Sequence, residues 1–216
     1  MLYLDCRDDT FQLIPWTGPE FSIAVFFSGL ERSLVSSAYN VRQDECKAAA
    51  YALLAHANLP YGKFSDTVLR NVPRNVFEEY ADRLPESFRK RAAHFFGEIE
   101  RAEKGSAAWT NGDIEAYGKL VFESGYSSIH NYECGCPELI RLYEIMCGTD
   151  GIYGGRFSGA GFRGCCMALV KRDKAEDVMH RVEEEYLKSF PELKGKYLGA
   201  LCHSADGVDL GGGIRV

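Results

Sequence analysis

Short, mostly apolar runs at 2–5 and 11–14 enclose the polar stretch CRDDT, a pattern that predicts a hairpin, and FSIAVFF at 21–27 predicts a third, buried strand. The period then lengthens. VRQDECKAAAYALLAHAN, at about 41–58, is rich in helix formers and stops before Pro60, which predicts a helix. Prolines interrupt a mixed pattern over 65–85, and no regular element is predicted there. Phe88, Ala92, Phe95, Ile99 and Ala102 then step along one face of a core helix. NGD at 111–113 reads as a turn or cap, and Ile114, Tyr117, Leu120 and Val121 mark a further helix reaching Ser124. Pro137 opens the next one, with Leu139, Leu142, Tyr143 and Met146 inward and Gly148 as its C-cap.

The stretch YGGRFSGAGFRGCC at 153–166 fits the G-x-G-x-x-G dinucleotide pattern at Gly159, Gly161 and Gly164. The residues after Gly164 break that pattern. CCMALV is a short apolar run of strand formers, and the next helix signal is Asp173, an N-cap candidate with Glu176 three residues on. Cys165 and Cys166 also stand where a phosphate-binding P-loop needs Lys and Ser or Thr. The region 151–170 is therefore expected to be strand, loop, strand. Ala175, Val178, Met179, Val182 and Tyr186 line the last helix, 197–203 forms a final strand, and 209–216 is a flexible tail. The order α, β, loop, β, α, β gives an α+β class with a split βαβ, ferredoxin-like sandwich.

At 216 residues with 46% hydrophobic content the chain can bury a full core as one compact unit. No apolar run approaches the ~18 residues of a membrane span, and the start carries no basic leader, so a cytoplasmic protein is expected. The net charge of −6, with scattered basic residues, argues against nucleic acid as a partner. Of eight cysteines, Cys6, Cys46, Cys147, Cys165, Cys166 and Cys202 fall in apolar patterns and read as reduced core residues. His130, Cys134 and Cys136 lack a fourth zinc ligand, so no metal site is expected.

Three segments resemble a family. GGRFSGAGFRGCCMALV at 154–170 is similar to the third, C-terminal motif of the GHMP kinases, the small-molecule kinases that include galactokinase, homoserine kinase and mevalonate kinase. SLVSSAYNVRQDEC at 33–46 resembles the galactokinase segment with a Ser-Ser-x-Tyr-Asn-x-Arg core, and LVFESGYSSIHNYECGCPEL at 120–139 resembles a later one. FSGLERSL at 27–34, SSIHNYECG at 127–135, Arg163 and Ile140 look more like the galacturonokinase branch than galactokinases. In this family the serine-glycine phosphate loop, the catalytic aspartate and most sugar contacts lie in a preceding half. The resemblance thus implies the C-terminal half of the kinase, with additional helices and an N-terminal hairpin. Residues 1–30 would be strands left over from the preceding half, and 31–208 the C-terminal domain proper.

The resemblance also assigns roles. Tyr39 matches the tyrosine that contacts the sugar, while Ser158, Gly159, Ala160, Gly161, Phe162 and Gly164 match the loop laid beside the phosphates. Within that loop Phe162 reads as a packing residue. Asn40 and Arg42 come with the tyrosine motif. The loop glycines let backbone N–H groups approach an anion. Arg163 is either an exposed turn arginine or a clamp for a uronate carboxylate. No catalytic residue is expected in this chain, and His130 and Glu133 are read as structural. The implied function is half of an ATP- and magnesium-dependent sugar 1-kinase acting on galacturonate or galactose, with neither cofactor held tightly by this chain alone. Its implied partner is the N-terminal half, and self-association is expected without it. The alternative is a sugar-binding or regulatory module without phosphotransfer.

Overall fold

The structure, a computed structural model, describes residues 1–30 and 37–202. Residues 31–36, part of the serine segment, and 203–216, with the expected tail, lie outside them. The chain opens with the hairpin β1 (Leu2–Asp5) and β2 (Thr10–Leu13), continues into β3 (Phe21–Phe27), and then runs through five helices. These are α1 (Ser37–His56), α2 (Arg74–Tyr80), α3 (Glu86–Thr110), α4 (Ile114–His130) and α5 (Pro137–Cys147). Strands β4 (Ile152–Phe157) and β5 (Cys165–Lys171), helix α6 (Ala175–Ser189) and β6 (Leu198–Cys202) close the fold.

Four strands form one antiparallel sheet in the order β4-β5-β3-β6. That order, with α1 to α5 filling the first crossover and α6 the second, is the split βαβ arrangement expected from the sequence. β3 pairs along its whole length with β5 and also with β6. The sheet thus begins at Phe21, inside the 1–30 segment that the family resemblance groups with the preceding half; only β1 and β2 form a separate two-stranded sheet. An apolar run that alternates Ser22, Ala24 and Phe26 on the buried face explains why β3 sits centrally.

Ala24, Phe26, Cys166, Ala168 and Val170 point into the main core, where Leu139, Leu142 and Met146 of α5 and Val178, Val182 and Tyr186 of α6 meet them. Tyr186 anchors this face further by donating its phenol to the Ser28 carbonyl at 2.7 Å. A second core joins α1, α2 and α3 around Leu53, Val76 and Phe96. Helix α4 lies directly on β4. A Cβ built on Gly118 falls 2.2 Å from the Tyr153 carbonyl oxygen, and one on Gly154 falls 2.2 Å from the Gly118 oxygen, so only glycine permits this approach.

Some local expectations change. Helix α2 and short 3-10 turns occupy 64–83, where the sequence predicts no regular element; Pro73 starts α2 and only Val76 of it is buried, so it leaves almost no periodic signal. Asp113 does cap α4, accepting from the Ala116 N–H at 2.9 Å. Asp173 does not cap α6: it lies inside the 3-10 turn Arg172–Lys174, and the N-cap is Lys174, with no side-chain hydrogen bond. Cys166 and Cys134 are buried, whereas Cys6, Cys147 and Cys202 are exposed free thiols and not core residues. They fall at strand or helix ends, where the apolar pattern no longer implies burial. Among the described residues no helix is long and apolar enough to cross a membrane.

Candidate functional site

The glycine loop is the connection between β4 and β5, and no helix starts at Gly164. The Ser158 N–H donates to the Cys165 carbonyl at 2.9 Å and the Ser28 N–H to the Gly164 carbonyl at 2.9 Å, which pins both ends of the loop to the sheet. Gly159, Gly161 and Gly164 have φ of 80°, 77° and 104°, a left-handed conformation that favours glycine. Gly159 and Ala160 are exposed at the tip, and Ser158 is half-buried.

Gly161 faces the other way. A Cβ there would lie 2.6 Å from Phe157 Cδ2 and 3.0 Å from Cys134 Sγ, so the missing side chain makes room for the core, not for an incoming anion. The loop atoms free to meet a ligand are therefore concentrated at 159–160. Phe162 packs against the main core, in keeping with its expected packing role. Arg163 is exposed and makes no hydrogen bond or ion pair within the described residues.

Tyr39 lies in the first turn of α1, exposed, with its hydroxyl accepting from Gln43 Nε2 at 2.9 Å. Arg42 is not free in solvent: Nη1 donates to Glu45 Oε2 at 2.8 Å, and Nε reaches the Glu133 carbonyl at 3.4 Å. The turn at 131–136 thus stands between the two sets of residues. Arg42 and Glu133 tie it to the start of α1, and Cys134 supports the loop at Gly161.

His130 packs on the Tyr126 ring with centroids 4.1 Å apart and does not pair with Glu133. Cys134 donates its thiol to the Ser128 carbonyl at 3.3 Å, and burial pushes that thiol up to about 11, so it stays protonated at neutral pH. Glu133 is held down to about 2 by hydrogen bonds from Arg91 and Lys90. Among the described residues no group of three His, Cys, Asp or Glu side chains is arranged to hold a metal ion.

Two polar features escape the sequence pattern. Arg91 on α3 is 1% exposed and grips the 131–136 turn. A second cluster links α3, α4 and β4: Glu98 accepts from Ser124 Oγ at 2.8 Å and from Arg101 Nε at 2.7 Å, while Arg156 Nη1 reaches Ser124 Oγ at 2.6 Å. It lines one side of a cavity of about 550 Å³ beneath the hairpin, whose other walls include Trp109, Tyr117 and Leu169. Arg91 lies three residues after Phe88, beside the apolar stripe of α3, and a charge so close to a core stripe is the one signal the sequence offers.

Residues 102–188 match the family described as GHMP kinases C terminal. The chain thus carries a GHMP kinase C-terminal domain and matches the C-terminal halves of galacturonokinase and galactokinase relatives. Among its relatives, a galacturonokinase of Arabidopsis thaliana is 40% identical over 213 residues, covering 95% of this chain and 50% of that protein. A galactokinase of Bos taurus is 36% identical over 185 residues, covering 86% and 44%. The crystal structure of Lactococcus lactis galactokinase complexed with galactose superimposes with a TM-score of 0.79 at 25% identity, over 93% of this chain and 49% of that one. The chain spans about half the length of the curated relatives it matches.

Proposed function

We propose that this chain is the C-terminal half of an ATP-dependent sugar 1-kinase of galacturonokinase or galactokinase type. The observation that carries the reading is the 40% identity to a galacturonokinase along 95% of the chain. In such a kinase phosphoryl transfer depends on positioning and charge stabilisation. Tyr39 would meet the sugar with its ring face and hydroxyl, the 158–164 loop would place the N–H groups of Gly159 and Ala160 near the phosphates, and Arg163 would extend toward a uronate carboxylate. ATP, with magnesium, would supply the phosphoryl group in the complete enzyme, and the preceding half is the proposed partner. A cytoplasmic location belongs to the same reading.

The test is a coupled ATPase assay with galacturonate and galactose, run on the 216 residues alone and on the chain fused behind the N-terminal half of a galacturonokinase. Turnover is expected only in the fusion. There, R163G should cut kcat/KM for galacturonate by about tenfold or more and leave galactose within about twofold, the loss expected of one charged contact. Activity from the isolated chain would sink the half-enzyme reading. Equal losses on both sugars would remove Arg163 from specificity. An inactive fusion in which the halves bind each other and galactose would favour a non-catalytic sugar-binding or regulatory module.

A further inference from the structure

Arg91 lies in none of the three segments that carry the family resemblance, yet its guanidinium is the most buried charge among the described residues. Each arm goes to a different acceptor. Nε donates to Glu45 Oε2 of α1 at 2.6 Å, Nη1 to the Asn131 carbonyl just past α4 at 2.5 Å, and Nη2 to Glu133 Oε2 at 2.7 Å. Glu45 is shared with Arg42, which lies one helical turn beyond Tyr39 and reaches the Glu133 carbonyl in return. Two arginines therefore cross-brace the N-terminal half of α1 and the same turn.

That turn is held in an unfavourable shape. Glu133 has a φ of 55°, a left-handed conformation that costs a non-glycine residue energy and survives only where surrounding contacts over-determine it. Lys90 at 3.0 Å and Arg91 supply those contacts through its carboxylate. The next residues form the back wall of the glycine loop: Cys134 Sγ lies 3.0 Å from where a Gly161 Cβ would be, and Gly135, at a φ of 119°, sits against Ile140 and Phe157.

We infer that Arg91 is a positioning residue that fixes the N-terminal half of α1, which carries Tyr39, and the wall behind the glycine loop in one register. Its relevance to turnover rests on the kinase reading, but the bracing itself does not. Lysine cannot substitute, because one ammonium cannot serve three acceptors in the planar fork that a guanidinium presents.

Hydrogen–deuterium exchange on the full chain tests this without any activity. R91K, and E133Q as the milder change should R91K fail to fold, are expected to speed exchange by about tenfold or more at 131–136, and by about threefold or more at 38–42 and 158–164, as loss of local bracing contacts requires. The β3 and β5 amides should stay as in the parent chain. Gly118→Ala in α4, measured at the same interval below its own melting temperature, serves as the control for general loosening. Unchanged exchange at both 38–42 and 158–164, or the same increase in the control, would overturn the assignment. In the fused kinase R91K should also raise the sugar KM by about fivefold or more, since Tyr39 would lose its fixed position; an inactive fusion would count against the kinase reading while the exchange result still decides the bracing.

Discussion

Gly161 shows how one residue type can serve two ends at one site. A bare backbone can approach an anion, yet its φ of 77° and the contacts with Phe157 and Cys134 place its constraint on the core side. Gly161→Ala is accordingly expected to destabilise the fold by ~1–3 kcal/mol through left-handed strain and overpacking. Urea denaturation of the isolated chain reads this directly, and a change within error would return Gly161 to a purely ligand-facing role. His94 makes a second residue-scale prediction. Burial lowers its imidazole to about 4, while Nδ1 lies 2.9 Å from Ser127 Oγ and Glu98, Arg101 and Arg156 surround it. The unfolded chain takes up this proton near ~6.5. Between those values the unfolded state binds more protons, so stability should fall as pH drops from about 6.5 to about 4, and His94 should add no pH dependence above that window. His94→Gln should flatten that slope, measured as melting temperature against pH. The carboxylates of Glu100 and Glu133, held near 2 by their cationic partners, contribute stability above their unfolded value of about 4.5 and lose it only on further acidification.

At the scale of elements, α4 carries the contact on which the second half of the fold is built. Beyond Ile114 its buried residues are all small, Gly118, Ser124, Gly125, Ser127 and Ser128, and a Cβ on Gly125 would sit 2.4 Å from the Tyr143 ring. Gly118→Ala should therefore cost ~1–3 kcal/mol by overpacking, a drop of ~2–12 °C in Tm for a chain of this size, against a gain if helix propensity alone decided. The same small residues explain why the sequence pattern ends this helix near Ser124 when it runs on to His130: a stripe of glycine and serine buries surface without registering as apolar. Elements with large alternating or stepped side chains, β3, α3, α5 and α6, are readable because their burial is hydrophobic. Helix α2, which buries a single valine, is not. In the candidate site the loop, Tyr39 and the strand-loop-strand context are legible through local motifs. The Arg91 brace is not, since its partners come from residues 45, 131 and 133, and no local pattern reports a contact formed only when distant segments meet.

The whole molecule has one well-covered sheet face and one that is only partly covered. Alternation in β3 sends Val25 and Phe27 away from the core. Beside them stand Met167 of β5 and Leu198 of β6, the latter 63% exposed. The hairpin adds a second apolar surface. Leu2 pairs with Leu13 and Leu4 with Phe11 across the strands, so all four side chains share one face, and Phe11 and Leu13 are 66% and 72% exposed. Monomers seldom leave such rows open, because each exposed row forgoes burial worth about 25 cal/mol per Å². The chain alone is therefore expected to self-associate, with a weight-average mass that rises with concentration in light scattering. The double change Phe11→Lys and Leu13→Lys should suppress that rise by placing two charges on the hairpin face. Co-expression with the N-terminal half of a galacturonokinase should also suppress it, by covering the surface with the partner proposed here. A chain that stays monomeric at every concentration would show that these rows are satisfied within one molecule, and would favour the self-sufficient binding module over the half-enzyme.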